Sequence, residues 1–191
     1  GEHKGTIYGA IHLLEEYLGC RKYSPDFEMI PVLSRITFPK LNDWDQPENQ
    51  YRIVNGWFCQ DADYQDWQRL DMIQDQFADG YYVHTFNRLL PWQEYFESHP
   101  EYFSYQNGKR IIDQLCLTNP DVLRIVTEKL EQEMILQPDK MVWSVSQNDN
   151  FSFCQCEECS KVIVEEGSAS GPVIRFVNEI ARRFPEKTIS T

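Results

Sequence analysis

From residue 51 onward, two kinds of hydrophobic segment alternate along the chain. Short runs rich in β-branched and aromatic residues (YRIVNGWF, GYYVHTF, MVWSVS and KTIST) are separated by longer segments that read mainly as helices (DYQDWQRLDMIQDQFADG, TNPDVLRIVTEKLEQEMI and SASGPVIRFVNEIARRF). Such alternation is typical of a parallel sheet connected by helical crossovers. The sequence therefore predicts an α/β fold, either an open doubly wound sheet or a (β/α)8 barrel. No glycine-rich phosphate loop follows a predicted strand, which disfavours a nucleotide-binding sheet.

The first 45 residues have a different pattern. An apolar residue recurs every three or four positions in GTIYGAIHLLEEYLGC, which predicts a helix, and RKYSP and ITFPKL are predicted as short strands. The polar segment NDWDQPENQ then predicts a domain boundary near residues 42–49. We therefore expect two domains, over residues 1–45 and 46–191. Both chain ends fall at predicted elements, so we expect a truncated chain.

Three local signals mark elements of the second domain. Asn119 and Pro120 predict the start of a helix, because an asparagine caps a helix N-terminus well and proline fits its first turn. Pro172 predicts the start of another helix in the same way. Within the aromatic-rich stretch that follows the second predicted strand, Asn107-Gly108 predicts a tight turn.

Charge and hydropathy limit the partners of the chain. The 18 Lys and Arg residues against 30 Asp and Glu residues give a net charge of −12. A surface of this charge disfavours nucleic acid and anionic membranes, although solubility alone also explains it. No run approaches the roughly 20 apolar residues that span a bilayer, so we expect no transmembrane segment.

Six cysteines leave their chemistry open. Three of them are crowded in the pattern C-x-C-x2-C at Cys154, Cys156 and Cys159, and Cys116 is a fourth candidate ligand. A structural zinc site takes several sulfurs from one tight loop, which this spacing allows. The even total also allows disulfides, and free thiols are the third alternative.

Polar and aromatic side chains follow the predicted strands, where a barrel carries its functional residues. These are Trp57, Gln60, Asp61, Asp63, His84, Asn87, Arg88, Gln147, Asn148 and Asp149. Aromatic faces, amides and carboxylates together are typical of sugar binding and of glycoside cleavage. Each also has a structural interpretation: His84 and Trp57 as core residues, and Asp149 as the cap of the following loop.

Long motifs resemble a known family. Most of residues 48–191 closely resembles the bacterial domain of unknown function numbered 4838. The segments that carry the resemblance are VHTF, YFESHPEYFSYQNGKR, QLCLTNPDVLRIVTEKL and WSVSQNDNFSFCQCEECSKVIVEEGSASGPVIRFVNEIA. Members look like divergent glycoside hydrolases with a (β/α)8 barrel and are frequent in glycan-degrading Bacteroidetes. Residues 1–40 resemble the end of the small domain that precedes the barrel in β-N-acetylhexosaminidases and α-glucuronidases. The resemblance therefore implies the end of a small α/β domain over residues 1–45 and the first half of a (β/α)8 barrel over residues 46–191.

A more distant likeness to the hexosaminidases of glycoside hydrolase family 20 implies roles for individual residues. Four motifs of that family have counterparts here in the same order: His84, Pro100-Glu101, the LCLTNP segment and Asn148-Asp149. Asn148-Asp149 occupies the place of its Asp-Glu pair, in which Asp orients the acetamido group and Glu is the general acid.

The resemblance thus implies a glycoside hydrolase with Asp149 and Asn148 catalytic, and with Trp57, His84, Asn87 and Gln147 binding a glycan. The alternative is a carbohydrate-binding or catalytically silent barrel. The resemblance implies no cofactor for catalysis, a secreted, periplasmic or cell-surface location, and a second barrel half and accessory domains beyond this chain.

Overall fold

The computed structural model describes residues 4–49 and 51–191. The chain divides into two compact units, Gly1–Asp75 and Gln76–Thr191. It is a mixed α/β protein with three two-stranded sheets, and the described residues form no closed barrel. No helix in these two ranges is long and apolar enough to cross a membrane. The predicted boundary near residues 42–49 stays a prediction.

The first unit opens with the predicted helix. Helix α1, Gly5–His12, continues into one π-helical stretch, Leu13–Tyr17. It is followed by Gly19, whose φ of +71° is the left-handed conformation that glycine adopts without strain. Strand β1, Arg21–Ser24, then pairs antiparallel with β2, Phe27–Met29. The strand predicted for ITFPKL is wrong, because residues 36–41 are exposed and irregular.

The strand predicted for YRIVNGWF is also wrong. The backbone of Arg52 forms its hydrogen bonds with one loop residue, Asp71, and not with a neighbouring strand. The Arg52 N–H donates to the Asp71 carboxylate and the Arg52 carbonyl accepts from the Asp71 N–H, both at 2.9 Å. A 3-10 turn, Trp57–Gln60, ends the segment. Helix α2, Ala62–Trp67, follows in this unit, and α3, Ile73–Gln76, spans the division between the two units at Asp75.

Strand β5, Val142–Ser144, is buried along its length at the centre of the second unit. It pairs in parallel with β6, Thr188–Ser190, which was predicted from KTIST. On its other side Phe77 forms a parallel bridge with Val142. The GYYVHTF segment continues alongside β5, but it is not the predicted strand. Gly80 and His84 have φ values of +81° and +55°, which break the extended backbone.

After the GYYVHTF segment the chain forms two short helices and then a hairpin. Helices α4, Phe86–Leu89, and α5, Trp92–Tyr95, precede β3, Phe103–Gln106, and β4, Lys109–Leu115. The strands pair antiparallel through Asn107 and Gly108, both at positive φ. Two left-handed residues define the turn type that suits a two-residue hairpin, so the predicted Asn-Gly turn is confirmed.

Three longer helices complete the second unit. Helix α6, Pro120–Leu136, begins as predicted, with the Asn119 side chain accepting from the N–H groups of Asp121 and Val122. Helix α7, Glu157–Glu166, was not predicted, and α8, Gly171–Ala181, was. The core joins β5 to α6 and α8 through fully buried side chains, among them Trp143, Tyr81, Phe86, Leu130 and Ile180.

Candidate metal centre and the adjoining loop

Four cysteine side chains from two parts of the second unit converge on one point. Cys116 directly follows β4, whereas Cys154, Cys156 and Cys159 come from the loop after β5 and the first turn of α7. All four Sγ atoms lie within 4.8 Å of one another. The four clustered cysteines could hold a metal such as zinc.

Backbone hydrogen bonds bring the two segments together. The Cys116 N–H donates to the Tyr102 carbonyl, which fixes Cys116 at the base of the hairpin, and the Gln155 N–H donates to the Tyr105 carbonyl, both at 2.8 Å. Cys156 occupies the N-cap position of α7, and Cys159 lies three residues further along, on the same face of the helix.

The sulfur spacing fits tetrahedral zinc. Zn–S bonds of about 2.3 Å place the sulfurs of a tetrahedron about 3.8 Å apart. Cys116 Sγ lies 3.7 Å from Cys156 Sγ and 3.9 Å from Cys159 Sγ. A disulfide needs about 2.05 Å between sulfurs. All six cysteines lie in the described part of the chain, and each is a free thiol.

Neighbouring polar groups support the sulfurs. The Tyr105 N–H donates to Cys154 Sγ at 3.3 Å, and the Thr118 hydroxyl lies 3.2 Å from Cys159 Sγ. The Arg110 guanidinium lies 3.8 Å from Cys154 Sγ and brings a positive charge to the cluster. Sequence patterns did not reveal these three residues, since none stands in a metal-ligand motif.

The thiols ionise unequally. Hydrogen bonds from Cys154 first, then from Cys159 and Arg110, hold the pKa of Cys116 far below the ordinary thiol value. The Cys116 thiolate in turn raises the pKa of Cys154 to about 11 and raises the pKa of Cys159 as well. Without a metal, a negative charge is therefore favoured at Cys116 over Cys154 and Cys159. A metal would replace the thiol protons, because it binds thiolates.

The loop between β5 and the cysteines lies along the hairpin. The Asn148 side chain donates from Nδ2 to the Asp113 carbonyl at 2.6 Å. The Gln114 side chain bonds both backbone groups of Asn148, and the Gln106 side chain donates to the Phe153 carbonyl at 2.9 Å. Residues 147–153, hereafter the Asn148 loop, are thus held at both ends by one hairpin.

Four of the six residues predicted for the sugar site lie on or against this loop. His84 is exposed, not a core histidine, and its Nδ1 lies 2.9 Å from the Gln147 carbonyl oxygen. Because a carbonyl only accepts, Nδ1 carries the proton. Gln147 and Asp149 are exposed and Asn148 is half-buried. The loop cap predicted for Asp149 belongs instead to Asn150, whose Oδ1 accepts from the Ser152 N–H.

The other two predicted residues are Asn87 and Trp57. Asn87 is exposed on α4, one turn beyond His84. Trp57 belongs to the unit Gly1–Asp75 and is 80% exposed, so its interpretation as a core residue is wrong. A small, mainly apolar pocket borders the loop, with Gln114 and Gln147 as its polar lining and Phe86, Phe153 and Val173 among its apolar lining.

Comparison with known proteins gives one match. A family described as "Domain of unknown function (DUF4838)" matches residues 22–191. No curated protein and no solved structure matches the chain.

Proposed function

The chain belongs to the DUF4838 family, and from that premise we propose that its second unit is part of a glycan-cleaving barrel whose functional loop is built on a structural zinc centre. The observation that carries the proposal is the course of the Asn148 loop. It leaves the C-terminal end of β5, exposes Asp149, and runs directly into Cys154. One short segment thus joins a candidate acid to a candidate metal centre.

The strand arrangement supports the barrel part of the proposal. Phe77 and β6 flank β5 on opposite sides, both in parallel. The three segments are neighbours in the same order as in the chain, and helical connections separate them. Successive parallel neighbours of this kind are what the first half of a (β/α)8 barrel requires. Asp149 then lies where such barrels carry their chemistry.

We assign the metal a structural role. Four protein sulfurs fill a tetrahedral coordination sphere, whereas catalytic zinc keeps a position open for water or substrate. The ion would join the end of β4 to the start of α7 and would supply rigidity, with cleavage left to carboxyl chemistry. Metal analysis of the purified chain, expected to give one zinc per molecule, tests this assignment; metal-free protein with linked cysteines would reject it.

The side chains on the loop suit the handling of a sugar. Asp149 is the general acid that protonates the glycosidic oxygen. Because the Asn148 Nδ2 donates to Asp113, its Oδ1 is the atom that remains to accept from a sugar hydroxyl or acetamido N–H. In the neutral His84 ring, Nε2 is an acceptor for a second hydroxyl, since Nδ1 donates to Gln147. Gln147 and Asn87 are exposed amides that complete the proposed subsite.

Replacing Asp149 tests the catalytic role. Asp149→Asn keeps the size of the side chain but cannot donate the proton, and general acid catalysis contributes about 10²–10⁴ in rate. We expect that loss of turnover on aryl N-acetylhexosaminides or glucuronides. Asp139→Asn is the matched control, since Asp139 is also exposed but precedes β5 at its other end. Equal turnover of Asp149→Asn and the unchanged chain would remove Asp149 from the mechanism.

A catalytically silent, glycan-binding domain is the second candidate. It is favoured by Asn148, which cannot act as a carboxylate, and by Asp113, the nearby acid, whose carboxylate already accepts from the Ser152 hydroxyl at 2.9 Å. Binding on a glycan array with no product from any bound glycan would support it. In either case we propose a glycan partner, rather than nucleic acid, in a secreted, periplasmic or cell-surface setting.

A further inference from the structure

Gln114 is close to Cys116 in the sequence and hydrogen-bonds the Asn148 loop. It is only 5% exposed and lies near the end of β4, two residues before Cys116. A buried amide has two donors and an acceptor to satisfy. Its hydrogen bonds therefore indicate which part of the fold depends on it.

Those hydrogen bonds all go to the loop. Gln114 Nε2 donates to the Asn148 carbonyl at 2.7 Å and to Asn150 Oδ1 at 2.9 Å. Gln114 Oε1 accepts from the Asn148 N–H at 3.1 Å. One side chain thus pairs in both directions with the backbone of one residue, as a neighbouring strand would. The residue it fixes is the one next to Asp149.

Gln114 lies two residues before Cys116, a ligand of the candidate metal centre. The end of β4 is held by core packing of Leu115 and by Cys116, whose sulfur meets those of Cys156 and Cys159. Without an ion these sulfurs lie 3.7 and 3.9 Å from Cys116 Sγ and share no bond with it. With an ion they are bonded to a common centre, which fixes the end of β4 against α7.

We infer that Gln114 is a positioning residue through which metal occupancy orders the Asn148 loop. Zinc fixes the Cys116 end of β4, β4 fixes the Gln114 amide, and the amide holds the backbone of Asn148 so that Asn148 and Asp149 face the ligand in one geometry. This inference rests on the proposed zinc centre and deepens the proposed glycan site.

Amide hydrogen exchange at Asn148 measures this coupling without a substrate. In the 191-residue chain, chelation of the metal is expected to accelerate exchange of the Asn148 N–H by at least about tenfold, as expected when an opening equilibrium loses more than 1 kcal/mol. Gln114→Met, which is similar in size but forms no such bonds, is expected to accelerate it comparably with metal bound. Its cobalt-loaded form should keep the thiolate-to-metal absorption of the unchanged chain.

The decisive readout is the combination of both changes. If Gln114 transmits the effect, chelation adds little to the exchange rate of Gln114→Met, because the bond it would loosen is already absent. Gln106→Met is the matched control: Gln106 also donates from the hairpin, but to Phe153, so chelation should retain its full effect at Asn148. Gln114→Asn, polar but one methylene shorter, provides the same comparison if Gln114→Met does not fold.

Two results would overturn the inference. Equal acceleration by chelation in Gln114→Met and in the unchanged chain would show that the coupling bypasses Gln114. No acceleration in the unchanged chain would show that the loop is ordered without the metal. Neither result depends on glycan turnover, so a failure here is distinct from inactivity of Asp149.

Discussion

Cys116 Sγ and Cys159 Sγ lie 3.9 Å apart although 43 positions separate them in the sequence. Cys116 belongs to the end of the hairpin, whereas Cys159 belongs to the first turn of α7. A bond through a shared metal ion would therefore close a long loop that contains α6 and β5. Closing a long loop restricts the unfolded chain more than closing a short one.

Metal removal is expected to destabilise the second unit. Because the site is formed only in the folded chain, the free energy of zinc binding adds to the free energy of unfolding. Chelation should lower the Tm by about 5 °C or more, measured by differential scanning calorimetry. Cys116→Ser should produce the same loss and should reduce bound zinc.

Cys20→Ser is the matched control for that experiment. Cys20 is also buried, but it belongs to the unit Gly1–Asp75 and lies outside the cluster. Its zinc content should equal that of the unchanged chain. A Cys116→Ser variant that binds zinc normally and melts at the same temperature would contradict the proposed centre.

Metal affinity is expected to rise steeply with pH. The pKa of Cys154 is raised to about 11 and that of Cys159 is also raised, both chiefly by the Cys116 thiolate, so both thiols are protonated at pH 7. The pKa of Cys116 is lowered, so it contributes no proton. Binding then releases at least two protons, and the association constant should increase about 100-fold per pH unit between pH 6 and 8. Competition titrations against a chelator of known affinity measure this slope; a pH-independent constant would contradict the ionisation pattern.

Local signals were sufficient for elements whose ends are set by neighbouring residues. Asn119 and Pro120 predicted the start of α6, and Asn107-Gly108 predicted the hairpin turn, because capping and turn geometry depend on a few adjacent side chains. The cysteine spacing likewise indicated the cluster, and Cys116 was included as its fourth member.

Local sequence patterns did not predict the elements whose structure depends on residues distant in the sequence. The GYYVHTF run has the composition of a strand, yet Gly80 and His84 take left-handed conformations, which strand propensity does not reveal. Helix α7 was missed because its cysteines were interpreted only as a loop, although Gly167, at φ +66°, is the usual signal for a helix end. Gln114 was missed because its partners lie 34 and 36 positions away.

The contribution of the core can be tested on one helix. Leu130 is fully buried on α6, whereas Ile135 on the same helix is 73% exposed. Leu130→Ala removes packing from the core that also contains Trp143 of β5 and leaves a cavity, so it should lower the free energy of unfolding by about 2–5 kcal/mol. Ile135→Ala should change it by less than about 0.5 kcal/mol, since it is a surface change. Urea denaturation measures both; similar losses would contradict the assigned faces of α6.

Two glycines with the same φ allow the cost of backbone strain to be distinguished from the cost of a clash with a neighbouring side chain. Gly80 and Gly108 both have φ +81°, so alanine at either position costs about 1–2 kcal/mol of backbone strain. At Gly108 nothing lies within 4 Å of an added Cβ, whereas at Gly80 it would come 2.7 Å from Arg88 Cζ. Arg88 would have to leave its place over the Tyr81 ring, 4.9 Å from the centroid, and would lose a cation–π contact of about 0.5–1 kcal/mol.

Gly80→Ala should therefore destabilise the fold by about that much more than Gly108→Ala in urea denaturation. The added variant Arg88→Ala should remove the difference, and a difference that persists in that background would show that Arg88 is not its source.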